Sequence, residues 1–127
     1  MNHVDLNMFG CLPFEFYQIT KDQRYYDMGL PYADTQWQVP DTATTEEKNW
    51  ARKGFSWQTR LWIDDMFMIT IIQSQAYKAT GKREYIDRAA REMVMYLDEL
   101  QHPTVYSTMP QMFLFIGDAA MAGWPPA

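Results

Sequence analysis

The sequence predicts an all-α fold built of helical hairpins, and three observations carry that prediction. An ungapped internal repeat, apolar residues at helical spacing on both sides of its second copy, and a glycine placed where a helix end needs a left-handed residue all point the same way. The repeat pairs YQITKDQRYYD, from Tyr17, with YKATGKREYID, from Tyr77, at an offset of 60. Tyr17 matches Tyr77, Thr20 matches Thr80, Tyr25 matches Tyr85 and Asp27 matches Asp87. Each copy reads as a helix end, a short polar turn and the start of the next helix.

Taken in order, the first hairpin is the less regular. Pro13 best suits the first turn of its first helix, and Pro31 should bend or shorten its second, because proline lacks the amide donor and clashes with the preceding turn. Residues 39–50 (VPDTATTEEKNW) are polar and contain proline, which suggests a long loop. Thr44 and Glu47 stand at capping-box spacing, so that loop has the start signal of a short helix. In the second hairpin Ile63, Phe67, Thr70 and Ile71 lead to Tyr77 on one face, and Ile86, Ala89, Met93, Tyr96 and Leu100 recur on the other side of the turn. Repeated hairpins suggest an α/α array, open or closed, in which no single hairpin buries its apolar face alone. Such stacks usually need about three or more units. Two copies therefore predict either an incomplete array that lacks parts of a longer fold or self-association through the exposed hairpin face.

Composition narrows the function classes. The 127 residues, 47% of them hydrophobic, suffice for one domain with a core. Eleven Lys and Arg against 16 Asp and Glu give a net charge of -5, the opposite of a nucleic-acid footprint. No apolar run approaches the ~20 residues of a membrane span, and the N-terminus has no signal-peptide pattern, so a cytoplasmic location without membrane contact is expected. Cys11 is the single cysteine, and a lone thiol among apolar neighbours reads as a small hydrophobe. His3 and His102 lie far apart without ligand-spaced partners, so neither a metal nor a cofactor is expected. Aromatic residues reach 16%. They either fill the core or stack on sugar faces.

The chemistry concentrates in TRLWIDDMFM, residues 59–68, which places Trp62, Asp64 and Asp65 at the start of an apolar helix. Either carboxylate could simply be a cap, since free amides and the macrodipole favour negative charge there. Alternatively one of them projects into a cavity beside Trp62, whose ring would stack on a pyranose and raise the carboxyl pKa toward neutrality. Asp5, in HVDLNMFG, pairs with Asp65 at the same offset of 60. Carboxylates at equivalent hairpin entrances would lie on one end of the array and could face one cavity.

Residues 3–37 (HVDLNMFGCLPFEFYQITKDQRYYDMGLPYADTQW) and 58–101 (QTRLWIDDMFMITIIQSQAYKATGKREYIDRAAREMVMYLDELQ) resemble the unsaturated rhamnogalacturonyl and glucuronyl hydrolases, glycoside hydrolase families 105 and 88. The resemblance covers roughly residues 3 to 103, and its most specific part is the W-I-D-D-M-F-M run. It implies part of an (α/α)6 toroid of the six-hairpin glycosidase type. It further implies a metal-free, cofactor-free hydration of the C4=C5 double bond of an unsaturated uronic acid at the end of a pectin-type oligosaccharide. On the family pattern Asp64 is the catalytic carboxyl, Trp62 the stacking ring and Asp5 the second, substrate-binding carboxylate.

Beyond Gln101 the resemblance stops. Family members continue with a segment close to NGLFYHAPDVPFYWGRGNGWMAAG, whereas this chain reads TVYSTMPQMFLFIGDAAMAGWPPA from Thr104. Reading that tail from the third base of each codon permits the family segment residue for residue. The single codons of Met109, Met112, Met121 and Trp124 force Ala, Val, Gly and Ala in the shifted frame, and all four agree. The expected organisation is thus a partial toroid domain over residues 1–103 and a frameshifted, poorly packing tail over 104–127. Three functional expectations stand side by side: a working hydrolase, an inactive remnant of one, and a helical module that binds a partner protein.

Overall fold

A computed structural model describes residues 3–101 of the chain as five α-helices, with no strand among them. The helices are α1 (Met8–Thr20), α2 (Gln23–Asp34), α3 (Thr45–Arg52), α4 (Ile63–Thr80) and α5 (Arg83–Leu100). The chain divides after Tyr96 into two units, and the second is described only over residues 97–101. His102, the 103/104 boundary and the tail from Thr104 lie outside the described residues.

Both repeat copies fold as hairpins, and their turns are built alike. Lys21 and Gly81 each take the left-handed conformation, with φ of 56° and 70°, and each donates its amide to the carbonyl four residues back, on Tyr17 or Tyr77, at 2.8 Å. Thr20 and Thr80 then accept from the amides of Asp22 and Lys82 at 3.2 and 3.1 Å, which closes the turn in the same way twice.

A 3-10 turn over Val4–Asn7 leads directly into α1, so Pro13 falls inside α1 rather than in its first turn. Pro31 also lies inside its helix: α2 runs on to Asp34, and the 3-10 turn Thr35–Trp37 follows. The capping box that starts α3 has both its bonds, from the Thr44 amide to Glu47 at 2.7 Å and from the Glu47 amide to Thr44 Oγ1 at 3.2 Å.

Phe14, Ala33, Ile72, Ala76 and Tyr85 form the core between the hairpins, with Cys11 packed half-buried against them as a small hydrophobe. Burial, helped by the nearby Glu15 charge, pushes the Cys11 thiol up. Close crossing of the helices depends on Gly10, where an added Cβ would meet Ile72 and Tyr32 at 2.7 Å.

Of the face that its apolar spacing predicts, α4 buries only Thr70. Asp65, Ile69, Ile72, Gln73 and Ala76 are buried, while Ile63, Phe67 and Tyr77 are exposed. Asp65 and Gln73 are polar, and their bonds account for their inward placement: Gln73 donates to the Ala33 carbonyl at 2.7 Å and to Gln36 at 2.6 Å, and Asp65 takes an arginine. On α5 the inward stripe is Tyr85, Ala89, Glu92 and Tyr96, so Met93 points outward in place of Glu92. A further apolar row of α1, comprising Phe9, Leu12, Phe16 and Ile19, is exposed.

Candidate active site

Residues 53–62 connect α3 to α4 and carry the site. Phe55 to Thr59 are all buried, and side-chain bonds rather than regular structure hold this stretch in place. Ser56 Oγ donates to the Gln36 carbonyl and Trp57 Nε1 to the Thr35 carbonyl, each at 2.7 Å. Asn7 donates to Gln58 at 2.7 Å, which ties the loop to the turn that carries Asp5. From α5, Glu92 accepts the Ser56 amide at 3.0 Å and the Thr59 hydroxyl at 2.7 Å.

The loop delivers Arg60 to the two carboxylates that the repeat makes equivalent. Its guanidinium grips buried Asp65 in bidentate fashion, Nε to Oδ2 at 2.9 Å and Nη2 to Oδ1 at 2.6 Å, and Nη2 also reaches Asp5 Oδ1 at 3.2 Å. Hydrogen bonding to Asp65, then the charges of Asp65 and Asp5, hold the guanidinium well above its ordinary range, so it stays cationic. His3 Nδ1 lies 3.1 Å from the other oxygen of Asp5. Trp62 is 52% exposed, and the Arg60 guanidinium sits 5.0 Å from its ring centroid. Between Arg60 and Trp62, Leu61 has a φ of 58°, a left-handed conformation that a bulky residue adopts only when its surroundings hold it there.

Neither adjacent aspartate caps α4 through its side chain, because the cap position is Trp62 and no side-chain bond closes it. They part in burial instead. Asp65 is fully buried on Arg60, whereas Asp64, in the first turn of α4, is exposed and has no hydrogen bond or ion pair among the described residues. The burial of Asp64 against Trp62 that proton transfer near neutrality would use is absent from the described residues. A small cavity of about 60 Å³ between Val4, Glu47, Trp57 and Arg60 falls well below the roughly 300 Å³ at which pockets for small organic ligands begin.

Of the aromatic residues, Phe14, Phe55, Trp57, Tyr85 and Tyr96 fill the interior, while Trp62 faces outward at the site.

Sequence reasoning missed two residues here. Arg60 stands inside the TRLWIDD run with nothing in its spacing to announce its bond to Asp5, 55 positions away. Glu92 does leave a signal, since it shares a helical stripe with Tyr85, Ala89 and Tyr96. Loss of hydration on burial, only partly offset by the bonds from Ser56 and Thr59, raises its carboxyl to about 7.

Among the described residues no group of three His, Cys, Asp or Glu could hold a metal ion, and no helix is long and apolar enough to cross a membrane. A family model described as Glycosyl Hydrolase Family 88 matches residues 1–105. No curated protein and no solved structure matches the chain.

Proposed function

Because this chain belongs to glycosyl hydrolase family 88, we propose that it acts, or descends from a protein that acts, on oligosaccharides ending in an unsaturated uronic acid, with Asp64 as the proton-handling carboxyl. The finer assignment within the proposal is the rhamnogalacturonyl type of pectin-derived substrate, met in the cytoplasm. In the reaction the Asp64 carboxyl gives its proton to C4 of the C4=C5 bond. A water then adds its oxygen to C5 and returns a proton to Asp64. The hemiketal formed at C5 opens, and the sugar at C1 is released. Trp62 would stack on the ring, and Asp5, held by Arg60, would orient its hydroxyls.

The observation that carries the reading is the unequal fate of the two neighbouring aspartates. Asp65 is buried and neutralised by Arg60, which leaves Asp64 as the accessible carboxylate of the pair. The test is the ultraviolet absorbance of an unsaturated galacturonyl-rhamnose substrate, which falls on hydration. Decay with wild type and none with Asp64→Asn is the expected result. Equal decay in both removes Asp64 from the mechanism, and no decay with either leaves an inactive remnant.

The same proposal takes residues 1–103 as the toroid part and 104–127 as a tail read after loss of one base near Pro103. Sequencing the coding DNA decides this, and a gene without the shifted-frame segment sinks it. A second reading, self-association, is favoured by the exposed row Phe9, Leu12, Phe16 and Ile19 on α1. Light scattering at rising concentration measures it, and a monomer throughout rejects it.

A further inference from the structure

We infer that Glu92 is the positioning residue of the candidate active site: its two hydrogen bonds to Ser56 and Thr59 set the register of the loop that delivers Arg60 to Asp65 and Asp5. The inference rests on the function proposed above only in taking this cluster as the place of catalysis.

Glu92 is fully buried, and both of its oxygens are used, Oε2 by the Ser56 amide and Oε1 by the Thr59 hydroxyl. Thr59 is bonded to Arg60 in the chain, and Arg60 is followed by left-handed Leu61 and then by Trp62, where α4 begins. Ser56 to Gln58 are also held by Gln36, Thr35 and Asn7, but at Thr59, next to Arg60, the side-chain anchor is Glu92, and the Arg60–Asp65 pair holds the loop downstream, with the strained residue just beyond. Releasing the Glu92 anchor lets Leu61 relax to negative φ, which turns Trp62 and re-aims the first turn of α4. That turn carries Asp64.

A glutamate in this position has a property that a neutral anchor lacks. Its burial without a cationic partner makes the ionised form costly, and its carboxyl titrates at about 7. The titratable group beside it is Tyr96, one turn along α5, and it is Tyr96 rather than Glu92 that Asp65 and Arg60 reach from α4 and the loop. Tyr96 is pushed upward by burial and then by the charges of Glu92 and Asp65, so it stays neutral. Protonated Glu92 keeps both contacts, since its O–H donates to Thr59 and its carbonyl accepts from Ser56. Once ionised, it gains hydration whenever the loop opens. Opening is thus favoured as pH rises through 7.

Amide hydrogen exchange on the full chain, wild type against Glu92→Gln and Glu92→Ala, tests this. The glutamine amide can donate to Thr59 and accept from Ser56, so Glu92→Gln should retain wild-type protection over residues 56–62. Glu92→Ala should exchange there at least about tenfold faster while α1 and α2 are unchanged. In wild type the same amides, corrected for intrinsic rates, should lose protection by about tenfold or more between pH 5 and 8, and Glu92→Gln should abolish that dependence. Unchanged protection in Glu92→Ala, or equal loss in both variants, overturns the inference. Should Glu92→Ala fail to fold, Thr59→Val removes one donor alone, and protection left intact over residues 59–62 overturns it equally. A chain with the loop response but no hydration of substrate refutes activity of this chain and leaves this role standing. Hydration without the loop response does the reverse.

Discussion

The α1–α2 and α4–α5 hairpins share a turn almost atom for atom yet bury different things. Each turn has a left-handed residue bonded to a tyrosine carbonyl and a threonine hydroxyl that accepts the second amide after it. Beyond the turn they diverge: α1 buries Phe14 where the equivalent position of α4 has half-buried Ser74, and α4 and α5 bury Asp65, Gln73 and Glu92. Local sequence sets the turn, whereas what each helix meets sets its face. Equivalent positions also meet each other, since Asp5 and Asp65 share Arg60 and Gln75 donates to Glu15.

The largest expected effect is in the first hairpin. Phe14→Ala should cost about 4 kcal/mol, because the ring is fully buried at the centre of the core, whereas Ser74→Ala should stay within about 0.5 kcal/mol. Denaturant midpoints measure both, and comparable losses would abolish the asymmetry between the hairpins.

Next comes pH, which should act on the second hairpin. The folded-state value of about 7 for Glu92 lies above its ordinary 4.5, so its contribution is complete below about pH 4.5 and is lost as pH rises through 7. The loss amounts to about 3 kcal/mol as an upper bound. Stability followed by thermal unfolding from pH 4.5 to 8 should fall accordingly, and Glu92→Gln should flatten the fall. A slope retained in Glu92→Gln would place the titration elsewhere.

The smallest effect concerns the shared turn itself. Lys21 takes at φ 56° the conformation that Gly81 takes at 70°. Lys21→Gly should therefore stabilise by up to about 1 kcal/mol, and Gly81→Ala should destabilise by about as much. Nothing lies within 4 Å of a Cβ added at Gly81, so that loss would be conformational rather than steric. If both substitutions proved neutral, the likeness of the two turns would be geometric only.

The turns were legible because their signals are local. The outward face of α4 was not, because apolar residues surround that helix: Ile69, Ile72 and Ala76 go in while Ile63, Phe67 and Tyr77 stay out. Periodicity cannot choose when polar Asp65 and Gln73 claim inward positions through bonds to Arg60, Gln36 and Ala33. On α5 the predicted stripe was right at Ala89 and Tyr96, whereas Tyr85 and Glu92 are buried in place of Ile86 and Met93, because a glutamate bonded to Ser56 and Thr59 is held inside. At the site, the offset that pairs Asp5 with Asp65 does correspond to a physical meeting, on Arg60. Adjacent Asp64 and Asp65 could not be told apart by pattern, since their difference is made by that arginine.

The Arg60 cluster has an electrostatic consequence for any anionic sugar. Two carboxylates, Asp5 and Asp65, share the one guanidinium, and the exposed Asp64 next to Asp65 adds a third negative charge that no ion pair among the described residues offsets. A uronate approaching Asp64 therefore meets a negative field. Added salt, whose screening length is about 8 Å at physiological strength, should strengthen its binding to this chain rather than weaken it.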